Sequence, residues 1–243
     1  MTLPVAILAG GLATRLQPIS ATIPKSIVDV AGEPFIVRQL RSLRESGIRR
    51  VVLCTGHFGD QVEDVVGNGA AFDLTVTYSR DGEQPLGTGG ALMRALPQLG
   101  DAFFVLYGDS FLPVDYGAVA RAHTQGGRPG LMTVLRNDDE WDRSNATYEN
   151  GVVVAYDKRT PTPAMRHIDY GLSVLTPQVF STAAPATPFD LADLYHYLAA
   201  HGLLAGHEVF DRFYEIGSLA GLQETIQYFQ RSEGDDVHGA APP

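Results

Sequence analysis

With 243 residues, 44% of them hydrophobic and 19% charged, the chain has enough apolar material for one large domain with a buried core. A formal net charge of −10 excludes bulk electrostatic binding of nucleic acid or an anionic membrane, although a few local cations can still hold one polyphosphate. A single cysteine excludes an internal disulfide framework and a cysteine-based zinc site, and the sequence reads as having neither a membrane span of ~18 apolar residues nor a basic-then-apolar leader, so a cytoplasmic protein is expected.

Residues 4–8 form a short apolar run that predicts a first buried strand. It leads into Leu8-Ala9-Gly10-Gly11-Leu12-Ala13-Thr14-Arg15-Leu16-Gln17-Pro18, with Pro24-Lys25 close behind. Glycines at a strand end let a ligand approach the backbone, and free N–H groups in such a loop make a concave anion site. Arg15 adds a planar fork of donors suited to phosphate, and Lys25 a compact mobile cation. The residues therefore suggest a nucleoside triphosphate with its base near Gly10 and Gly11 and its phosphates facing Arg15 and Lys25; a flexible Gly-rich turn is the plainer alternative. Neither the P-loop pattern G-x-x-x-x-G-K-[ST] nor the dinucleotide pattern G-x-G-x-x-G is present.

Further on, residues 34–46 read as a helix with Ile36, Val37, Leu40 and Leu43 on one face and Gly47 as its stop. Strand patterns over 50–54, 74–79 and 102–106 alternate with helix patterns over 60–66 and 88–96. Cys54 falls in one of these strands and reads as a small core residue. Repeated βα units predict a mostly parallel sheet with helices on both faces, and ligands then bind beyond the C-terminal strand ends, where Gly10 and Asp109 would lie. The segment Glu83-Gln84-Pro85-Leu86-Gly87-Thr88-Gly89-Gly90 leads into the helix over 88–96; alone it reads equally as a Gly-rich helix N-terminus. Asp109, just past a buried strand in Tyr107-Gly108-Asp109-Ser110, is placed to hold a cation or to cap a turn.

The second half is less regular. A strand is predicted over 131–136, and strands over 145–148 and 152–156 flank the hairpin signal Glu149-Asn150-Gly151. Residues 166–175 read as mixed strand and turn. A helix capped by Asp190 runs to residue 200, and a last helix spans 219–229 with Leu219, Leu222, Ile226 and Phe229 on one stripe. The Gly-, Asp- and Pro-rich tail over 232–243 is expected to fray. The histidines show no metal-ligand spacing.

The string from Gly10 to Pro18 with Pro24-Lys25 resembles the opening motif of the sugar-1-phosphate nucleotidyltransferases, G-G-x-[GA]-T-R-L-x-P followed by P-K. Glu83 to Leu92 resembles that family's E-x-P-L-G-T-[AG]-G-A-L, and Gly108-Asp109 its G-D element. Departures occur later: Glu215-Ile216-Gly217-Ser218 stands where relatives have Asp-x-G-[ST], Asp157-Lys158-Arg159 where they have Glu-Lys-Pro, and Asp169-Tyr170-Gly171 matches N-x-G only at the glycine.

The resemblance implies an α/β, Rossmann-like (GT-A-like) fold: a mostly parallel mixed sheet with a small sugar-binding β subdomain. It implies one domain over 1–231, with a nucleotide-binding half over 1–110 and a sugar-phosphate-binding half over 111–231. The substrates would be a nucleoside triphosphate and a sugar 1-phosphate, with Mg²⁺ held by Asp109 and Glu215. Arg15, Lys25 and Asp109 would be catalytic. Leu8, Ala9, Gly10, Gly11, Thr14, Arg15, Lys25, Gln84, Pro85, Gly87, Thr88 and Gly89 would bind the nucleotide, with Gln84 and Gly89 at the base. Asn145, Asp157, Lys158, Asp169 and Gly171 would bind the sugar phosphate. Within the family the resemblance is greatest to the heptose 1-phosphate guanylyltransferases, with mannose 1-phosphate guanylyltransferases and N-acetylmuramate 1-phosphate uridylyltransferases close by. Glu215 and the altered Glu-Lys-Pro segment also motivate a different class, a non-catalytic nucleotide-sugar-binding regulatory subunit. A homodimer is the default expectation.

Overall fold

The computed structural model describes residues 2–11, 23–183 and 187–238. Its first half is a run of βα units. β1 (Val5–Leu8), β4 (Arg50–Thr55), β5 (Thr75–Arg80) and β6 (Phe103–Tyr107) lie parallel, with β1 between β4 and β6 and β5 outside β4. Short strands β2 (Asp29–Val30) and β3 (Glu33–Pro34) pair with each other ahead of helix α1 (Phe35–Glu45). Helices α2 (Gly59–Val66) and α3 (Gly87–Ala95) make the crossovers on either side of β5.

Alternation along β1 shows why both faces must be covered. Val5 and Ile7 pack with Ile36, Leu40 and Leu43 of α1, whereas Ala6 and Leu8 pack with Ala91, Leu92 and Ala95 of α3. A parallel strand buried on both sides reads as a continuous apolar run, which is what residues 5–8 are.

The second half extends the same sheet. After β7 (Ser110–Phe111) and helix α4 (Tyr116–Gly126) come β8 (Gly130–Arg136), β9 (Ala146–Glu149), β10 (Val152–Tyr156) and β11 (His167–Leu175). Helices α5 (Gln178–Ala183) and α6 (Leu191–Ala200), strands β12 (Leu204–Val209) and β13 (Tyr214–Glu215), and helix α7 (Leu219–His238) complete it. The full order is β5-β4-β1-β6-β11-β8-β12-β10-β9. β11 runs antiparallel to both β6 and β8, so parallel pairing dominates only the first half. The β-rich second half is thus continuous with the central sheet.

Helices α4 and α5 and strand β12 have no counterpart among the elements predicted from the sequence. Residues 166–175, expected to mix strand and turn, form one nine-residue strand whose register with β8 shifts between Asp169 and Ser173. Leu219, expected on the buried stripe of the last helix, is exposed. Leu222 and Phe229 instead pack with Val28, Val30, Phe35 and Phe111 in a satellite cluster beneath the site. α7 also continues through residues 232–238, expected to fray, because propagation adds one hydrogen bond for each residue fixed once a packed segment has nucleated the helix. Among the described residues no helix is long and apolar enough to cross a membrane.

Candidate active site

Two cavities open along the C-terminal edge of the parallel strands. The first, about 410 Å³, is walled by Leu8 at the end of β1 and Ala9, Gly10 and Gly11 after it, by Cys54 of β4 and Asp81 after β5, and by Pro85, Gly87, Thr88 and Ala91 around the start of α3. The second, about 350 Å³, lies over β11 and is walled by Asn145, Tyr156, Lys158, Asp169, Tyr170 and Gly171, with Asp142, Phe213, Glu215 and Gly217 at its margin. Lys25, Tyr107 and Asp109 line both. The cavities therefore meet at one ion pair: Lys25 Nζ donates to Asp109 Oδ2 at 2.8 Å, with side chains 18% and 33% exposed.

The fold holds this junction from several sides. Gly108 N–H donates to Leu8 O at 3.0 Å, locking the turn after β6 to the end of β1. Gln39, 2% exposed on α1, donates through Nε2 to Tyr107 O at 2.9 Å and Ser110 O at 2.7 Å, clamping the backbone on both sides of Asp109. β7 pairs with β13 so that Ser110 faces Glu215, and Ile216 N–H donates to Asp109 O at 2.9 Å. The Glu215 carboxylate accepts from Gly217 N–H and, at 2.7 Å, from Ser218 Oγ. A Cβ at Gly217 would overlap that carboxylate and lie 3.2 Å from Lys25 Nζ, so this close approach requires glycine.

The opposite end of the second cavity is built around Asp169. Burial pushes its carboxyl from 3.8 to about 6, against the lowering effects of the Gly171 N–H, the Lys158 charge and the Tyr156 hydroxyl. Gly171 N–H donates to Asp169 Oδ1 at 3.0 Å, and Asn145 Oδ1 accepts from Asp169 N at 2.9 Å. Burial also raises the Tyr156 hydroxyl, keeping it protonated as a donor. The surface is thus a set of paired cations and carboxylates beside a socket rich in hydrogen-bonding groups, suited to bringing two phosphorylated molecules together. A family profile described as Nucleotidyl transferase matches residues 5–160 of the chain.

The chain belongs to the nucleotidyl transferase family. It is similar to the N-acetylmuramate alpha-1-phosphate uridylyltransferase of Neisseria meningitidis, 37% identical over 113 residues that make up 46% of this chain and 49% of that protein. It is also similar to the mannose-1-phosphate guanylyltransferase catalytic subunit beta of Xenopus tropicalis, 24% identical over 242 residues, 96% of this chain and 67% of that one. The chain thus spans about half and two thirds of those relatives. Its fold matches that of HddC from Yersinia pseudotuberculosis, crystallised with GMP-PN, at a TM-score of 0.78 and 24% identity over 94% of this chain and 100% of that one.

In this nucleotidyl transferase, Leu8, Ala9, Gly10, Gly11, Lys25, Pro85, Gly87 and Thr88 line the first cavity. Asn145, Lys158, Asp169, Gly171, Asp109 and Glu215 line the second. Thr14 and Arg15 lie outside the described residues. Three expected residues are placed elsewhere. Gln84 is exposed and does not line the first cavity. Gly89 is buried against the Phe189 ring, where any Cβ would overlap it, so its glycine serves packing between α3 and the approach to α6. Asp157 closes its own turn: Oδ1 accepts from Arg159 N and Thr160 N, both at 2.8 Å, and Oδ2 from Thr160 Oγ1 at 2.8 Å. An aspartate is short enough to fold back onto the backbone this way.

Sequence reasoning passes over Asp81, Ser26, Tyr107, Tyr156 and Asp142, all on the cavity walls. Asp81 has a signal that could find it, since it directly follows a parallel strand at the edge where ligands bind. Tyr156 ends β10, and Asp142 lies in the loop between β8 and β9, so their place on the wall comes from the packing of those strands, which no local pattern announces. Cys54 floors the first cavity, but burial pushes its thiol up to about 12, so it is inert there.

For a magnesium ion the donor chemistry fits. Asp109 and Glu215 stand on adjacent backbones and offer only oxygens, and Mg²⁺ commonly takes one or two protein carboxylates with the rest of its shell from phosphates and water. No cluster of three potential ligands occurs among the described residues, which such a shared shell does not require.

Proposed function

We propose that the protein transfers a nucleotidyl group from a nucleoside triphosphate to a sugar 1-phosphate, giving a nucleotide-sugar and pyrophosphate. One observation carries this reading: two cavities of nucleotide and sugar-phosphate size meet at Lys25 and Asp109, where the reacting phosphates would have to meet. A phosphate oxygen of the sugar 1-phosphate attacks the α-phosphorus; a P–O bond forms, and the bond to the bridging oxygen of pyrophosphate breaks. The attacking phosphate oxygen is already anionic near pH 7, so the reaction needs charge screening and in-line placement more than a base.

In this reading Lys25, with Arg15, binds the nucleotide phosphates and Lys158 holds the attacking phosphate. Asp169, Tyr156 and Asn145 orient the sugar. Asp109 and Glu215 hold Mg²⁺, which would neutralise charge on the phosphates. The sugar we favour is D-glycero-α-D-manno-heptose 1-phosphate with GTP, supported by the likeness of Pro85-Leu86-Gly87-Thr88-Gly89-Gly90 to the heptose guanylyltransferases. Two further readings have their own support. Uridylyl transfer to N-acetylmuramate 1-phosphate rests on the 37% identity over 113 residues, and guanylyl transfer to mannose 1-phosphate on the 96% coverage of this chain.

The test is pyrophosphate release with Mg²⁺ across GTP, UTP, ATP, CTP and dTTP, each against heptose, mannose, glucose and N-acetylated sugar 1-phosphates. One productive pair establishes the transfer and names both substrates. A blank grid with nucleotide-sugar binding retained would instead establish a regulatory subunit.

A further inference from the structure

We propose that Asp81 reads the nucleobase and that the base is guanine. The inference rests on the nucleotidyl-transfer reading of the first cavity.

The wall of that cavity is largely apolar or glycine backbone. Among the described residues, its charged groups fall at two places. Lys25 and Asp109 stand where it joins the second cavity, and Asp81 stands beyond the end of β5. In the order β5-β4-β1-β6, Asp81 and Asp109 follow strands three spacings apart, roughly 14 Å. That span suits a nucleotide with its α-phosphate at Lys25–Asp109 and the Watson–Crick edge of its base at Asp81. Thr88 is not free to read a base, because its Oγ1 donates to Asp190 Oδ1 at 2.9 Å and accepts from Leu191 N at 2.8 Å.

Asp81 is fixed in place. Its N–H donates to Thr55 O at 3.0 Å, and Oδ2 accepts from Leu86 N at 3.3 Å. Burial raises its carboxyl above the ordinary range, against the opposing effects of the Leu86 N–H and the Arg94 charge. A carboxylate only accepts hydrogen bonds. Guanine presents two neighbouring donors, N1–H and the 2-amino group, to such an acceptor. Uracil and thymine present one N–H between two carbonyls, which would face the carboxylate with repulsion. Adenine and cytosine set one amino group beside an acceptor nitrogen. Of the five bases, guanine alone satisfies both oxygens without an opposing lone pair.

The experiment compares kcat/KM for GTP, ITP, XTP and UTP, with Mg²⁺ and a productive sugar 1-phosphate, in the whole protein and in Asp81→Asn. Wild type should prefer GTP over UTP, with ITP, which lacks the 2-amino group, between them. In the variant, the amide oxygen takes over the bond from Leu86 N–H and the amide –NH₂ turns to the cavity. That donor opposes both guanine donors and meets the 2-carbonyl of xanthine or uracil. GTP use should fall about 100-fold, by the loss of charge-assisted bonds to a half-buried acceptor, while XTP use rises. Unchanged GTP use in Asp81→Asn, or a wild-type preference for UTP or dTTP, overturns the proposal and leaves nucleotidyl transfer standing. If no pair turns over, the transfer reading fails instead, and calorimetric binding of GDP, UDP and XDP to the two proteins decides the base. The same switch in preference would support Asp81 as the reader; equal binding would overturn it.

Discussion

Replacing Lys25 with Met separates a structural ion pair from a catalytic cation. Met keeps most of the aliphatic stem and its packing, so the change removes the charge and the 2.8 Å bond to Asp109 Oδ2. A hydrogen bond involving charged groups contributes about 1.5–3 kcal/mol. With Asp109 33% exposed, water replaces part of the lost partner, which places the cost near the lower end, about 1.5 kcal/mol. For a domain of this size that is a fall in Tm of about 3–6 °C. The chemical loss should be larger: withdrawing one preorganised charge from a developing phosphoryl transition state costs about 10²–10³ in rate. Thermal melts and steady-state pyrophosphate release on the same preparation read the two effects separately. A variant that melts about 3–6 °C lower yet keeps kcat within about threefold of wild type would refute the catalytic role and leave Lys25 a counter-ion.

Three further outcomes follow from the same geometry. Leu in place of Gln39 removes both donors to Tyr107 O and Ser110 O; it should cost about 1–3 kcal/mol in a denaturant titration and lower kcat more than it raises KM, because Asp109 loses its brace. Gly217→Ala should displace the Glu215 carboxylate and raise the Mg²⁺ concentration needed for half-maximal rate, while pairing it with Glu215→Asp, whose carboxylate is retracted, should recover much of the loss; equal Mg²⁺ titrations in the single and double variants would contradict this. Asp169 has a folded-state value raised to about 6 from 3.8, so the native state holds its proton longer than the unfolded chain and stability falls as pH rises between those values. Asp169→Asn should flatten that part of the Tm–pH profile, and an unchanged slope would show that other groups set it.

The elements legible in the sequence are those whose burial follows a local period. β1 is apolar at every position because both its faces are covered, and α1 shows Ile36, Val37, Leu40 and Leu43 on one face. α4 is not legible although it begins well: Asp115 caps it by accepting from Ala118 N–H at 2.9 Å. Its buried face carries only Tyr116 and Val119, too little apolar material to give a period against its glycines and polar residues. β12 escapes for a related reason. It sits between β8 and β10, yet Gly206, His207 and Glu208 interrupt its apolar run, and Glu208 is there to accept a bond from His167. Its place in the sheet comes from partners that lie more than 50 residues away in the chain.

The site divides in the same way. Gly10, Gly11 and Asp109 are legible because they follow the ends of β1 and β6, and Lys25 because it stands in the Pro24-Lys25 pair close behind the first motif; all four line the cavities. Asp157 and Glu215 show the limit of motif reading, since both depend on how far a carboxylate reaches. Asp157 is short enough to close on Thr160 and leaves the sugar cavity. Glu215 is long enough to turn back, and it does so onto Gly217 N–H and Ser218 Oγ at the start of α7, remaining on the cavity wall. That fold-back is possible because residues 217 and 221 are glycines: a Cβ at either would overlap the carboxylate. The longer side chain of Glu215 is therefore accommodated by the two glycines it folds against. With Lys25 Nζ packed toward Gly217 and Ile216 N–H bonded to Asp109 O, this arrangement holds both carboxylates, Asp109 and Glu215, on the wall of the second cavity.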